Sequence, residues 1–385
     1  MSLSELTTDP RATNNASASQ SVLLRPVLLH GLRLRNRVAV APMTRVSATG
    51  EGMPTERMSS YYAAYARGEF GLIITEGIYP DHQYGQGYLR QPGLVSDEQV
   101  NRWRRVTDSV HDEGGLIFAQ IMHAGALSQS LDRTMAPSAV QPKGEKMPEY
   151  GGAGRFPVPH EMTRNEIRTA IAGFAATAAR AHDAGFDGIE IHGANGYLID
   201  QYITQYTNLR SDEYGGDARG RIRFACEVLK AARARLGEDF PIGIRVSQTK
   251  VNDFAYRWTE PDAYAIFAAL KAAGASYLHV ASEGRDWWET ARLTPGGSTI
   301  TELARRVSGL PVIANGGMHN VDTAERVLRE GHADLVSLGR GALANPDWPA
   351  RVRRGDPAER FDPKMIHPSA TLEYADSRPA VACNS

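Results

Sequence analysis

The chain has 385 residues, 42% of them hydrophobic and 23% charged, an ordinary globular balance that excludes disorder of the whole chain. Its 43 Lys and Arg nearly cancel its 44 Asp and Glu, so no global positive field exists to gather nucleic acid or anionic lipid, and a small neutral molecule is the expected partner. Two cysteines, Cys226 and Cys383, exclude a disulfide scaffold and a cysteine-rich metal site; with no apolar run near the roughly 20 residues of a spanning helix, the expected setting is the cytoplasm, as a monomer or homodimer.

In chain order, residues 1–20 are rich in Ser, Thr, Asn and Ala and are expected to form a loose tail. From Ser21 onward, short β-type runs alternate with amphipathic helical stretches, the pattern of parallel strands joined by crossover helices. The runs predicted as strands are Val38–Pro42, Leu72–Glu76, Leu116–Met122, Gly188–His192, Ile242–Val246, Tyr277–Ala281, Val312–Ala314 and Leu335–Leu338. Eight such runs predict a single (β/α)8 barrel of the α/β class over residues 21–362, with an N-terminal extension before it and a C-terminal tail over 363–385. GLIIT and GIEIH are nearly continuous in apolar residues, as expected where a parallel sheet is covered on both faces. Ahead of the fourth strand, Asn165–Ala184 places Ile167, Ile171, Phe174, Ala175 and Ala178 at helical spacing behind Thr163, a candidate cap. Residues 128–161, rich in Pro, Gly and charge, are expected to form an inserted loop or lid. The basic stretch Arg351–Arg360 reads as a solvated helix end.

Chemistry in such barrels gathers at the C-terminal ends of the strands, whose loops converge over one mouth. HGANGY follows the fourth strand and sets His192, Asn195 and Tyr197 at that mouth. An imidazole and a carboxamide could converge on one oxygen and stabilise an enolate, and the phenol could then protonate the α-carbon. Each of the three could instead be structural, as a core histidine, a turn asparagine or a core tyrosine. ANGGM and SLGRGAL put glycines directly after the seventh and eighth strands. The backbone N–H groups of Gly316, Gly317, Gly339 and Arg340 could there cradle a phosphate at a helix N-terminus, the Arg340 guanidinium adding charge. Arg245 in GIRVS projects into the mouth and calls for an anion, or for an ion pair with a barrel carboxylate such as Glu190. Trp287 and Trp288, after the sixth strand, could line a pocket or pack as a surface pair.

Together NRVAVAPMTR, GLIITEG, FAQIMHAG, HGANGYLIDQ, RSDEYGG and GRGALANPDW, in this order from about Leu24 to about Val352, resemble the old yellow enzyme family of flavin-dependent ene-reductases. The resemblance implies tightly bound, non-covalent FMN at the barrel mouth, contacted by Pro42, Met43, Thr44, Gly77, Gln120, Arg245, Gly316, Gly317, Gly339 and Arg340. Thr44 would donate to the ring's O4, Gln120 would meet its polar edge, and Arg245 would face N1 and O2. It further implies NADH or NADPH as reductant and an activated alkene, carbonyl- or nitro-conjugated, as substrate. His192 and Asn195 would hold the substrate oxygen, Tyr197 would donate the proton, and Met122 would line the pocket.

Three positions depart from the family's commonest pattern. Ala126 and Gly220 stand where arginine and asparagine are frequent, and Met122 occupies a position that is tryptophan in some relatives, which predicts room for bulkier alkenes. The readings weighed against an ene-reductase are a flavin barrel acting on nitroesters or quinones, an iron–sulfur relative, a metal-dependent hydrolase using His123 and His192, and a flavin-binding protein without turnover.

Overall fold

The structure is a computed structural model that describes residues 21–250, 252–253, 256–282 and 286–377; the tail expected over 1–20, and Cys383, lie outside these. Val38–Val40 (β1), Leu72–Ile78 (β2), Ile117–Ile121 (β3), Gly188–Gly193 (β4), Ile242–Ser247 (β5), Tyr277–Ala281 (β6), Val312–Asn315 (β7) and Leu335–Leu338 (β8) pair in parallel and in chain order, and β8 closes on β1. The crossover helices are Glu56–Arg67 (α1), Asp97–Asp112 (α2), Arg164–Asp183 (α3), Ala218–Leu236 (α4), Glu260–Ala272 (α5), Ile300–Ser308 (α6), Val321–Arg329 (α7) and Trp348–Arg354 (α8). The predicted (β/α)8 barrel is thus the fold. Among the described residues no helix is long and apolar enough to cross a membrane.

The expected strands appear with small shifts that have local causes. β1 stops at Val40 instead of Pro42, since proline has no N–H to give a ladder, although Ala41 still donates to the Leu338 carbonyl. β2 runs past Glu76 to Ile78 because a register shift between Ile74 and Gly77 inserts an extra residue and lets pairing with β3 resume. α3 starts at Arg164 behind a reciprocal capping box, Thr163 Oγ1 accepting from Glu166 N and Glu166 Oε2 accepting from Thr163 N.

Side chains two apart on a strand share a face, so each strand feeds the barrel interior at alternate positions. The lowest interior layer is apolar: Ala39, Leu72, Ile74, Phe118, Tyr277, Ile313 and Leu335 form one buried cluster. Leu29 and Leu34 complete it from a hairpin, Val27–Leu29 and Leu32–Leu34, that plugs the bottom of the barrel. His30 and Gly31 turn that hairpin with left-handed backbone (φ 47° and 86°), the conformation that matches strand twist in a two-residue turn. Two residues further up β3, β6 and β8 the interior becomes polar, with Gln120, His279 and Ser337 buried together with Glu190 of β4. The top layer holds His192, Arg245 and Asn315.

The inserted segment 128–161 folds over the mouth. Met135–Ala136 pairs with His160–Glu161, while Phe156 and Tyr150 pack with Tyr88, Met122 and Tyr197. Residues 363–377 join this cover: Ala370 N donates to the Glu149 carbonyl (3.0 Å) and Leu372 N to Ser47 Oγ (2.8 Å). The Arg351–Arg360 stretch ends α8, where Arg351 pairs with Asp347, Arg353 with Glu69 and Arg354 with Asp356, as solvated helix ends do.

Candidate active site

Strand register aligns the upper interior. His192 of β4 lies opposite Arg245 of β5, which lies opposite His279 of β6. Below them the Glu190 carboxylate accepts from Gln120 Nε2 (2.8 Å) and Tyr277 OH (3.3 Å) and lies 2.8 Å from His279 Nδ1, whose other nitrogen meets Ser337 Oγ at 2.8 Å. Burial pushes Glu190 upward, but His279, Arg245 and Gln120 outweigh it and hold the carboxyl below its ordinary value. Arg245 directs its hydrogen bonds to two amide oxygens, Asn195 Oδ1 at 2.8 Å and Asn315 Oδ1 at 3.0 Å, and acts on Glu190 through space.

The HGANGY turn is braced from beneath. Asn195 (φ 60°) and Gly196 (φ 86°) are both left-handed, a conformation asparagine tolerates better than most residues. Asn195 N donates to Ser247 Oγ (3.0 Å) and Gly196 N to Asp200 Oδ2 (2.7 Å), while Asp200 Oδ1 meets the buried Lys250 ammonium at 2.6 Å. Because Arg245 donates to the Asn195 carboxamide oxygen, the amide's NH2 is its donor end. His192 is buried and its Nδ1 has no hydrogen-bond partner among the described residues. Burial first, then Arg245 and His279, hold its imidazole well below the ordinary pKa, so it is neutral near pH 7. The Tyr197 ring lies 5.1 Å from that imidazole, and its hydroxyl hydrogen-bonds the Tyr88 hydroxyl. The fold thus brings His192, Asn195 and Tyr197 to one mouth, with Met122 buried beside Tyr88 and Tyr197.

Across the mouth, glycines let neighbouring segments of the chain approach closely. At Gly316 (φ 112°) a Cβ would fall 1.9 Å from the Ser282 carbonyl oxygen, and Gly317 is left-handed as well (φ 68°). Near Gly316, Ser282 Oγ and Trp287 Nε1 are buried donors with no hydrogen-bond partner among the described residues, as an absent ligand would leave them. At Gly77 a Cβ would clash with Met122 Sδ at 2.7 Å, so glycine there lets the Met122 side chain pack against β2. Pro42, Met43 and Thr44 are half-buried, Gln120 is buried, Gly339 is half-buried and Arg340 exposed. The unpartnered donors beside Gly316, with the Arg340 guanidinium just past β8, fit a ligand bearing polar or anionic groups. One detail of the expected cradle differs: only Gly339 and Arg340 open a helix, Arg340–Ala344, whereas Gly316 and Gly317 sit in a turn and α7 begins at Val321.

The two tryptophans divide. Trp287 is buried beside Gly316, and Trp288 packs edge-on against it with the Arg326 guanidinium 4.1 Å above its ring. His123 is engaged on both nitrogens, Nε2 lying 3.0 Å from Asp81 Oδ2 and Nδ1 accepting from Gly125 N, so it anchors a loop rather than sharing a metal with His192. Among the described residues, no group of three His, Cys, Asp or Glu converges as metal ligands would. Sequence reasoning missed Tyr88 and Tyr150; Glu76, at a strand end, is buried and receives Arg45 N and Val46 N on Oε2.

A closed parallel barrel with polar side chains gathered at its C-terminal mouth is the architecture of a barrel enzyme. Residues 22–359 match the NADH:flavin oxidoreductase / NADH oxidase family. A probable flavin mononucleotide-dependent alkene reductase of Leishmania infantum is 36% identical over 94% of this chain and 98% of its own length. Among solved structures, an old yellow enzyme homologue from Zymomonas mobilis superposes with a TM-score of 0.83 at 32% identity, over 93% of this chain and 99% of that one. Morphinone reductase in complex with tetrahydroNAD does so with a TM-score of 0.81 at 30% identity, over 94% and 99%. The chain therefore belongs to the old yellow enzyme family and is an oxidoreductase of the NADH:flavin type.

Proposed function

We propose that the protein is an FMN-dependent ene-reductase that uses NADH or NADPH to reduce the C=C bond of α,β-unsaturated carbonyl or nitro compounds. The observation that carries this reading is the convergence of three groups on one mouth: the neutral His192, the Asn195 amide fixed by Arg245, and the Tyr197 phenol. The alkene reductase named among the relatives, and the tetrahydroNAD bound to morphinone reductase, support the same reading.

In this proposal Pro42, Met43, Thr44, Gly77, Gln120 and Arg245 hold the ring of FMN, and Gly316, Gly317, Gly339 and Arg340 its phosphate. The cofactor, when bound, supplies the hydride received at the substrate's β-carbon. His192 and Asn195 donate hydrogen bonds to the substrate oxygen and stabilise the negative charge that develops there, a contribution worth about 10²–10³ in rate for one such donor. The Arg245 hydrogen bond orients the Asn195 amide for this, and the low basicity of His192 keeps a neutral donor in place. Tyr197 donates its phenolic proton to the α-carbon. Met122 lines the substrate side.

Rapid mixing of the two half-reactions tests the scheme. Tyr197→Phe is expected to slow reduction of 2-cyclohexen-1-one at least about 10²-fold while NAD(P)H still reduces the cofactor at close to the parent rate. Equal loss of both half-reactions would contradict the role given to Tyr197, and a purified protein that is colourless and takes up no added FMN would end the proposal.

A further inference from the structure

We infer that Tyr88 is a positioning residue for proton transfer: its hydroxyl donates to the Tyr197 oxygen, aims the Tyr197 proton at the substrate and stabilises the phenolate left when that proton departs. This rests on the role proposed for Tyr197. Tyr88 comes from the loop after β2, far in sequence from the HGANGY turn, yet its hydroxyl and that of Tyr197 share a direct hydrogen bond. Both phenols are almost entirely enclosed, Tyr88 at 1% and Tyr197 at 8% exposure. A phenol has one proton and can also accept. If Tyr88 donates, Tyr197 has its own proton to give elsewhere; if Tyr197 donated to Tyr88, that proton would point away from any substrate.

The surroundings decide which phenol keeps its proton when one is lost. Burial, then the neighbouring phenols Tyr197 and Tyr150, raise the Tyr88 pKa well above the ordinary value, with Thr44 as the one side chain pulling the other way, so beside a Tyr197 phenolate Tyr88 is the donor. Tyr150, from the inserted segment, packs its ring 5.0 Å from that of Tyr88 and roofs the pair against water. In the step itself the Tyr197 O–H bond breaks, a C–H bond forms at the α-carbon from the enolate's electron pair, and charge moves onto the Tyr197 oxygen. With both phenols enclosed, the Tyr88 hydroxyl is placed to stabilise that charge by a charge-assisted hydrogen bond. When product leaves and the mouth opens to solvent, a solvent proton returns to the Tyr197 oxygen, so the step balances with no further reagent.

The experiment is a double-mutant cycle on the flavin-loaded enzyme, with Tyr88→Phe, Tyr197→Phe and the double variant, each half-reaction followed separately with NAD(P)H and 2-cyclohexen-1-one. Tyr88→Phe is expected to slow alkene reduction about ten- to hundredfold, as loss of a hydrogen bond to a charged group does. Cofactor reduction and the KM for the enone should stay within about twofold, and in the Tyr197→Phe background the Tyr88 change should cost less than about twofold more. Bound-flavin absorbance and melting temperature report whether each variant folds. A loss of the same size in both backgrounds would make Tyr88 a pocket-shape residue and overturn the inference. Unchanged alkene reduction in Tyr88→Phe, with Tyr197→Phe slow, would overturn it alone. A fast Tyr197→Phe would overturn both this inference and the reading beneath it.

Discussion

An imidazole enclosed by protein resists protonation, and two further groups, Arg245 and His279, press His192 the same way. The sign follows from linkage. A histidine whose pKa is depressed on folding favours the folded state above its unfolded value, near 6.5, and that contribution is lost as pH falls below it. His192 should therefore show no titration between pH 8 and pH 6 in ¹⁵N-imidazole NMR spectra of the labelled protein, and a midpoint near 6.5 would refute the neutral donor. At this scale the sequence was legible where chemistry is contiguous: His192, Asn195 and Tyr197 fall within six residues at the C-terminal end of one strand, so barrel geometry alone sends them to one mouth. It was silent about Tyr88 and Tyr150, which arrive from the β2 loop and the insertion. Their contact is set by tertiary packing, and neither segment has a period that points a side chain anywhere.

Elements show the same division. The eight strands were readable because buried parallel strands are short apolar runs, and the α3 cap because Thr163 and Glu166 have capping-box spacing. The irregularity in β2 was not, since a bulge is a pairing event between strands rather than a composition. Its consequence is specific. Glu76 follows the slip in register and is buried outside the barrel lumen, where it accepts Arg45 N (2.9 Å), Val46 N (3.1 Å) and the Tyr62 hydroxyl (3.3 Å). These bonds hold the chain just past Thr44, where Val46 is left-handed (φ 41°), an uncommon state for a β-branched residue. Burial raises the Glu76 pKa to about 7, only partly offset by the Arg45 and Val46 amides. A carboxyl raised on folding from 4.5 to about 7 favours the folded state at low pH, and that advantage disappears as pH rises through this window, by about 3 kcal/mol. Glu76→Gln keeps an oxygen for the two amides and does not titrate. Urea denaturation at pH 5 and pH 8 should accordingly show the parent losing about 2–3 kcal/mol more than Glu76→Gln over that interval, and parallel pH profiles would show that Glu76 ionises freely.

Over the whole molecule, the barrel is finished at its mouth by segments distant in sequence. The C-terminal residues 366–377 rest against the insertion, the loop after β1 and α1, so the cover of the candidate site depends on what fastens them. Two kinds of attachment compete. Arg90 pairs with Glu373 at 2.8 Å and Arg57 with Asp376, but the four side chains are 42–59% exposed, and such pairs contribute about 0–1 kcal/mol each. Leu372 is 4% exposed and Ala370 fully buried, and enclosing a leucine side chain is worth about 1.5–3 kcal/mol. Apolar burial should therefore be the stronger fastening. The expected outcome is that Leu372→Ala raises amide hydrogen exchange across 366–377 by about tenfold or more, whereas Glu373→Gln or added salt changes it by less than about threefold. Exchange in β1–β8 should not move in either case, because their hydrogen bonds close on one another around the barrel and need nothing from the cover. If Glu373→Gln loosened the segment as much as Leu372→Ala, the surface ion pairs would be the fastening, and closure of the mouth would follow ionic strength.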